Sequence, residues 1–180
     1  AERDTNGAAT AIESNTAVYS GAGVTLFGGA TAELNHTLFH GNRAPAGAAL
    51  SASHAFVNLN GAQFLFNEAT GNAIVELNRC VNSVANSVFA RNTTPGDGVF
   101  RVARGSGDIV HCVFAFNETN GSGSGAALQI VETEPAPAPI LRVINNIFAY
   151  NQGFGIAEVT SLADPELRNN LFYGDSRGEY

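Results

Sequence analysis

Residues 114–117 read Phe-Ala-Phe-Asn, and the pattern Phe-x-x-Asn that they contain returns along the whole chain. Its copies begin at Phe39, Phe64, Phe89, Phe114 and Phe148. A sixth copy, Phe172 to Asp175, carries a carboxylate in place of the amide. The six phenylalanines are spaced 25, 25, 25, 34 and 24 residues apart, and the long interval contains a Pro/Ala-rich stretch at 132–139. A repeat of this length is typical of a solenoid.

Each repeat contains three short apolar runs separated by Gly, Asn, Ser and Asp residues, which favour turns. One run, such as Ala73 to Leu77, follows the asparagine, and an aliphatic residue lies five positions before each phenylalanine. No run is long enough to show the 3.6-residue period of a helix. We therefore predict an all-β fold: a right-handed parallel β-helix solenoid with three short strands per coil and six to seven coils of about 25 residues.

We expect residues 1–180 to form a single β-helix segment. Residues 1–15 form a partial coil, 16–175 form six coils with 132–139 as an inserted loop, and 176–180 start a further coil. Neither end shows the pattern of a capping helix, and open coil ends pair with other chains unless they are covered. We therefore expect a part of a longer array, with other domains or subunits as partners at its uncapped ends.

Charge and hydropathy narrow the classes of partner. The net charge is −7 and the pI is about 4.9, whereas nucleic-acid-binding proteins carry basic patches. The same charge disfavours binding to anionic membranes. No stretch approaches the 18 apolar residues of a membrane-spanning helix. The sequence thus predicts neither nucleic-acid binding nor membrane insertion.

Because equivalent residues stack in a solenoid, function is best considered column by column. The phenylalanines predict a buried aromatic stack. The asparagines predict a ladder of side-chain amides at a turn, with the asparagine in the left-handed conformation that this residue tolerates. The ladder residues are Asn15, Asn42, Asn67, Asn92, Asn117 and Asn151. A second amide group predicts the turn between the second and third strands and consists of Asn86, Asn145, Asn146, Asn169 and Asn170.

The residue just before each phenylalanine is apolar in five of the six coils: Leu38, Gln63, Val88, Val113, Ile147 and Leu171. Simple alternation along a strand would turn this column outward as an apolar stripe, which would indicate a protein interface. Alternatively, the adjacent turn rotates both residues inward. We favour the inward orientation.

Polar residues at outward positions supply the candidate functional side chains. On the first strand these are Ser51, Glu76, Arg101, Gln129 and Glu158. On the second strand they are Glu33, Asn58, Ser83, Asp108, Arg142 and Glu166. Glu76 with Arg101, and Arg142 with Glu166, are expected to form exposed ion pairs between neighbouring coils. The functional alternative is a saccharide or Ca²⁺ site on this flank, since carboxylates are the ligands that Ca²⁺ requires. No residue is assigned to a metal.

Two further motifs have structural explanations. Cys80 and Cys112 do not fall in equivalent positions of adjacent coils, so we expect two small buried side chains rather than a disulfide. Four asparagines, at 35, 92, 117 and 120, match the glycosylation pattern Asn-x-Ser/Thr. We interpret most of these matches as turn chemistry.

The Phe-x-x-Asn repeats, each followed by Gly-x-Gly/Ala-aliphatic, resemble the autotransporter-type passenger repeats of polymorphic outer-membrane proteins. More broadly, they are similar to the pectate-lyase-like superfamily of right-handed β-helices. The passenger resemblance implies surface display and adhesion, and therefore an extracellular or cell-surface location. For a lyase of the superfamily it implies an arginine base, for which Arg101 and Arg142 are the candidates.

Three functions follow as hypotheses. The first is an extracellular structural or adhesive segment of a larger bacterial surface or secreted protein, with a host-cell or polysaccharide ligand and no catalytic site. The alternative is a carbohydrate-active β-helix, a polysaccharide lyase or glycoside hydrolase, with Glu76, Arg101, Asp108 and Glu158 as weak catalytic candidates. The third is a subunit of a self-assembling filament. Whether the chain is an enzyme is left open, with the non-enzymatic hypothesis preferred.

Overall fold

The computed structural model describes residues 10–119, 126–132, 141–160 and 164–178. Within these ranges every regular element is a β-strand, and each strand pairs in parallel with the equivalent strand of a neighbouring coil, the inner strands of each sheet on both sides. The chain is therefore a solenoid of stacked coils, which confirms the all-β parallel prediction. The right-handed winding stays a prediction, as do the boundaries of the coils.

The strands form three long sheets, which we number in the order in which a coil visits them. The first sheet has six strands: Val24–Phe27, Leu50–Ser53, Ala73–Asn78, Gly98–Ala103, Ala126–Val131 and Phe154–Glu158. The second sheet has six: Thr31–Glu33, Phe56–Asn60, Val81–Ala85, Ser106–Val110, Leu141–Ile144 and Glu166–Arg168. The third sheet has seven: Ala11–Glu13, Leu38–His40, Gln63–Leu65, Val88–Ala90, Val113–Ala115, Ile147–Ala149 and Leu171–Tyr173.

A fourth, short sheet adds to the three strands per coil that were predicted. Its two-residue strands follow the ladder asparagines: Arg43–Ala44, Glu68–Ala69, Thr93–Thr94 and Glu118–Thr119. In each strand the first side chain faces outward and the second is buried. Two residues are too few to show the alternation by which a strand is recognised in a sequence.

The phenylalanines form the predicted internal stack along the third sheet. Consecutive ring centroids lie 4.5, 4.8, 4.7, 4.9 and 5.1 Å apart, and the rings are nearly parallel. Ile12 pairs with Phe39 and continues the column at its start. Phe100 of the first sheet packs edge-on against Phe89, with the centroids 5.2 Å apart. The stack therefore links two sheets of the solenoid through one apolar core.

The asparagines form the predicted ladder, and it is buried. The backbone N–H and side-chain Nδ2 of Asn67 both donate to Oδ1 of Asn92, each at 3.0 Å. Nδ2 of Asn67 also donates to the backbone carbonyl of Phe39, one coil earlier. The same pattern runs from Asn15 to Asn151 and ends on the Asp175 carboxylate, which accepts from Asn151. Each amide thus satisfies backbone groups that the turn would otherwise leave buried without partners.

The left-handed conformation expected at the ladder asparagines lies instead at the residue before them. This position has φ between 55° and 68° at Phe66, Arg91, Phe116, Tyr150 and Gly174. The turn between the second and third sheets is similar: His36, Asn86, His111, Asn145 and Asn169 have positive φ. The second amide group lies at this turn, as predicted, and there Asn146 and Asn170 form a second short ladder. A third set, His54, Arg79 and Arg104, turns the chain from the first sheet to the second.

The residue before each phenylalanine faces outward, so the favoured inward orientation is wrong. Leu171 is 58% exposed and Ile147 40% exposed, while Gln63 of the same column is also at the surface. The turn does not rotate these side chains inward, because the left-handed residue that makes the turn comes only two positions after the phenylalanine. Strand alternation therefore holds up to the corner.

Both cysteines are free and buried, as expected. Burial raises the pKa of the Cys112 thiol to about 11 and raises that of Cys80 as well. Two of the glycosylation matches, Asn92 and Asn117, are buried ladder residues, which confirms their structural interpretation. Asn35 is exposed. Asn120 and residues 133–139 of the expected loop lie outside the described residues.

Replacing Asn92 with Ala is expected to lower the free energy of unfolding by about 3 kcal/mol, because buried partners on both neighbouring coils lose a hydrogen bond. The measurement is urea unfolding followed by circular dichroism. Asn60→Ala, which removes an exposed amide that accepts from Asn86, is the control and should cost less than about 0.5 kcal/mol. Equal losses for the two variants would contradict a ladder that carries stability.

Neither thiol should react with an aromatic disulfide reagent in the folded protein, because both are buried and protonated at mildly alkaline pH. Unfolding in urea should release both for reaction, which absorbance of the thiolate product measures. Reaction of the native protein at the rate of the unfolded chain would show that these side chains are accessible.

Candidate functional site

The first group of polar residues lies on the outward face of the first sheet. Strand pairing places Glu76 beside Arg101 and Arg101 beside Gln129. Arg101 Nη1 donates to Glu76 Oε1 at 3.1 Å, and Arg101 Nε donates to Gln129 Oε1 at 3.1 Å. Asp97 Oδ2 lies 3.7 Å from the same Nε, and Asn72 Nδ2 donates to Glu76 Oε1 at 2.7 Å. The Glu76–Arg101 pair forms as predicted, but it is mostly buried rather than exposed, with side chains 18% and 19% exposed, because further polar side chains surround it. We call this group the Glu76–Arg101 cluster.

The carboxyl group of Glu76 holds its proton more tightly than an exposed glutamate does. Burial has the largest effect and raises its pKa above the usual 4.5. The Arg101 guanidinium acts in the opposite direction, and the Asp97 carboxylate raises the pKa further. A carboxyl group with a raised pKa beside a second carboxylate is the arrangement from which a general acid is built.

Glu158 does not belong to the predicted column. The strand register pairs Gln129 with Ala157, and Glu158 with Ile130. Alignment of the apolar runs in the sequence places Glu158 beside Gln129. In the structure Ile156 pairs with Leu128 in the core and Gly155 precedes it, so this segment is offset by one residue from that alignment. A Cβ on Gly155 would lie 2.7 Å from the Phe172 ring, so this inward position accommodates no larger side chain. Burial, helped by Asp164, raises the pKa of Glu158.

Asp108 lies on the second sheet, on a different face from Glu76. The column predicted there is confirmed, since Asp108 pairs with Arg142 and Arg142 with Glu166 in the strand register. The ion pair differs, however: Arg142 donates to both Asp108 oxygens, at 2.5 and 2.7 Å, while Glu166 pairs with Arg168. This forked hydrogen bond also raises the pKa of Arg142. The four catalytic candidates therefore do not form one site.

A second group, which the sequence did not indicate, is a column of exposed side chains at the corner between the third and fourth sheets. Its members are the left-handed residues that precede the ladder: Ser14, Gly41, Phe66, Arg91, Phe116, Tyr150 and Gly174. The Arg91 guanidinium lies between the rings of Phe66 and Phe116, 5.7 and 5.8 Å from their centroids. The Phe116 and Tyr150 rings stack at 5.2 Å. About half the surface of Phe66, Phe116 and Tyr150 is exposed.

A cleft of about 350 Å³ lies between this column and the outward residues of the fourth sheet. Its lining residues are Phe66, Arg91, Thr93, Phe116 and Glu118. We call it the corner cleft. Thr93 forms its floor because the corresponding positions in neighbouring coils hold longer side chains, Glu68 and Glu118. The cleft thus combines apolar rings, a guanidinium, a hydroxyl and a carboxylate.

The corner column has a signal in the sequence, a recurring glycine. Glycine occupies the position two residues after phenylalanine at Gly41 and Gly174, and a recurring glycine indicates positive φ. The residues between them in the same column are therefore turned outward even when they are aromatic. Reading the triplet after each phenylalanine as a corner would have placed Phe66 and Phe116 at the surface.

Among the described residues, no three His, Cys, Asp or Glu side chains gather as they would around a metal ion. That part of the chain also contains no helix long and apolar enough to cross a membrane.

Comparison of the chain with protein-family models, with curated proteins and with solved structures finds no match.

Glu76→Gln is expected to gain stability relative to the natural protein as the pH rises above 4.5. Because the pKa of Glu76 is raised in the folded state, ionising this carboxyl group opposes folding. The natural protein therefore loses stability as the pH rises from 4.5 through the raised pKa, whereas the Gln variant, which does not ionise, loses none for this reason. Urea unfolding at a series of pH values measures the difference. Glu33→Gln, at an exposed position of the second sheet, is the control. A difference of the opposite sign would show that attraction to Arg101 outweighs burial.

Proposed function

We propose that this chain is a structural, adhesive β-solenoid segment of an extracellular or cell-surface protein, and that it holds its ligand without chemical turnover. The observation that carries the proposal is the corner cleft, where exposed aromatic rings and an arginine are held on a closely packed scaffold. Large exposed aromatic side chains at a concave surface favour binding. The cellular location rests on the resemblance of the repeats to autotransporter-type passengers and to the pectate-lyase-like superfamily.

The scaffold supports this proposal through its stiffness. The aromatic stack and the buried ladder run through all the described coils, so outward side chains keep fixed distances from one coil to the next. A site on rigid strands loses less conformational entropy when it binds than one on loops. An extended array of such coils would present repeated surfaces, which suits adhesion to a polymeric or cellular surface.

The enzymatic alternative has one feature in its favour, the raised pKa of Glu76 next to Asp97. A glycoside hydrolase needs one protonated and one ionised carboxyl group on either side of the bond to be cleaved. Arg101, however, contacts both carboxylates and also Gln129, so these groups hold one another in place. We therefore prefer a structural role for this cluster and a binding role for the cleft.

The filament alternative is favoured by the outward column on the third sheet, where Val88, Val113, Ile147 and Leu171 form an apolar stripe. Such a stripe would suit a second copy of the chain, placed side by side. Sedimentation that shifts to larger species with concentration, and that Val113→Glu abolishes, would support it.

Beads coated with the purified chain are expected to adhere to surfaces bearing polysaccharides or cells, whereas beads coated with the urea-unfolded chain are not. Soluble polysaccharides incubated with the same protein should show no new reducing ends and no unsaturated sugars. The readouts are bead counts under flow and product assays. Product formation that Glu76→Gln abolishes would replace this proposal with the enzymatic one, and a lack of adhesion to every surface would contradict it.

A further inference from the structure

We propose that the corner cleft binds a neutral polysaccharide, with Arg91 and Glu118 contacting its hydroxyl groups and the exposed edges of the Phe66 and Phe116 rings contacting its C–H groups. This inference rests on the proposed adhesive function, because it names the ligand class and the site.

The first support is the conformation of the corner residues. Phe66, Arg91, Phe116 and Tyr150 have φ of 55°, 57°, 55° and 55°, a region that bulky residues rarely occupy. Glycine takes the same corner at Gly41 and Gly174 without this cost. Among the described residues, phenylalanine and tyrosine adopt positive φ at this corner alone. Left-handed His, Arg and Asn residues also occupy the other two corners, so this corner is set apart by its exposed aromatic rings at positions where glycine would serve, which indicates a functional surface.

The second support is the set of hydrogen-bonding groups. Arg91 is held by the two rings and forms no ion pair among the described residues, so its guanidinium edge carries N–H donors toward solvent. Glu118 lines the same cleft and supplies acceptors, and it too forms no ion pair within the part of the chain that the structure describes. Thr93 lines the same cleft and adds a hydroxyl group. Neighbouring hydroxyl groups of a sugar both donate and accept, and therefore match a site with a donor on one side and an acceptor on the other.

The third support concerns the backbone, which disfavours an extended peptide. A peptide that adds to a sheet needs free backbone groups at its edge. Here the N–H groups of Glu68, Thr93 and Glu118 donate to the carbonyls of the preceding coil at 2.9 to 3.0 Å. Those of Arg91 and Phe116 donate to the following coil. Recognition in the cleft is therefore left to side chains, as is usual for sugars.

The fourth support is charge. The whole chain carries −7, but the cleft contains one guanidinium and one carboxylate, and the adjoining Glu68 is paired with Arg43 at 3.1 Å. The net negative charge of the molecule repels polyanions at long range. The cleft, in which one positive and one negative side chain balance, offers them no excess positive charge at contact. This favours a neutral glycan over an acidic glycan or a nucleic acid.

The cleft also suits a linear polymer. Coils repeat at roughly 4.8 Å along the axis, the spacing of parallel strands, which is close to the length that one pyranose unit adds to a linear chain. A polysaccharide lying parallel to the axis would meet Phe66, Arg91, Phe116 and Tyr150 in succession.

The test is calorimetric titration of the folded chain with neutral hexasaccharides of β-1,4-linked glucose, mannose and xylose, and with hexagalacturonate as the acidic probe. At least one neutral probe is expected to bind, with about tenfold weaker binding for Arg91→Ala and for Phe116→Ala. Hexagalacturonate should bind at least about tenfold more weakly than that neutral probe. Tighter, salt-sensitive binding of hexagalacturonate would overturn the inference.

Matched controls come from other corners and sheets. Arg79 has φ of 53° at the turn between the first and second sheets, and Phe56 is 52% exposed on the second sheet, so Arg79→Ala and Phe56→Ala should leave affinity unchanged. Circular dichroism confirms that each variant is folded. If beads adhere to neutral glycans equally well with Arg91→Ala and Phe116→Ala, the cleft is not the site although the adhesive function stands. If no surface is bound at all, the adhesive function itself is wrong.

Discussion

The buried asparagine ladder is the interaction on which the rest of this solenoid depends. Each amide joins the turn of its own coil to those of its neighbours, because Oδ1 accepts from the previous coil while Nδ2 donates both forward and back. A buried amide that lost these partners would cost more than the hydrogen bonds contribute when complete. The ladder therefore requires every coil to return to the same column at the same residue. The aromatic stack and the outward columns then follow from that register.

The architecture could be predicted because its determinants repeat. The phenylalanine and asparagine positions, the aliphatic position five residues earlier, and the second amide turn all recur at a fixed distance from one another, and the structure places each as expected. Details that depend on single residues could not be predicted in this way. The fourth strand is two residues long, and the strand register places Ala157 rather than Glu158 beside Gln129.

The candidate site was predictable only in part, for a physical reason. Strand alternation identifies outward positions, so the Glu76–Arg101 pair was found, but it does not say which of two neighbouring carboxylates an arginine will choose. Arg142 has Asp108 on one side and Glu166 on the other, and it forms a forked hydrogen bond with Asp108. The corner cleft was not predicted, because its column mixes glycine, phenylalanine, arginine and tyrosine and so does not repeat as the buried columns do. A phenylalanine in the left-handed conformation points its side chain away from the core in spite of its hydrophobicity.

The hydrogen bonds of the ladder have the same geometry between coils of different length. Asn92 and Asn117 are 25 residues apart and Asn117 and Asn151 are 34 apart, yet the amide nitrogen-to-oxygen distances across the two steps are 3.1 and 2.9 Å. The extra residues of the longer coil leave the hydrogen-bonded spine unchanged. Evolution, or a protein engineer, can therefore graft foreign segments into the arc between two rungs and vary what the solenoid displays, while its hydrogen-bonded axis is preserved.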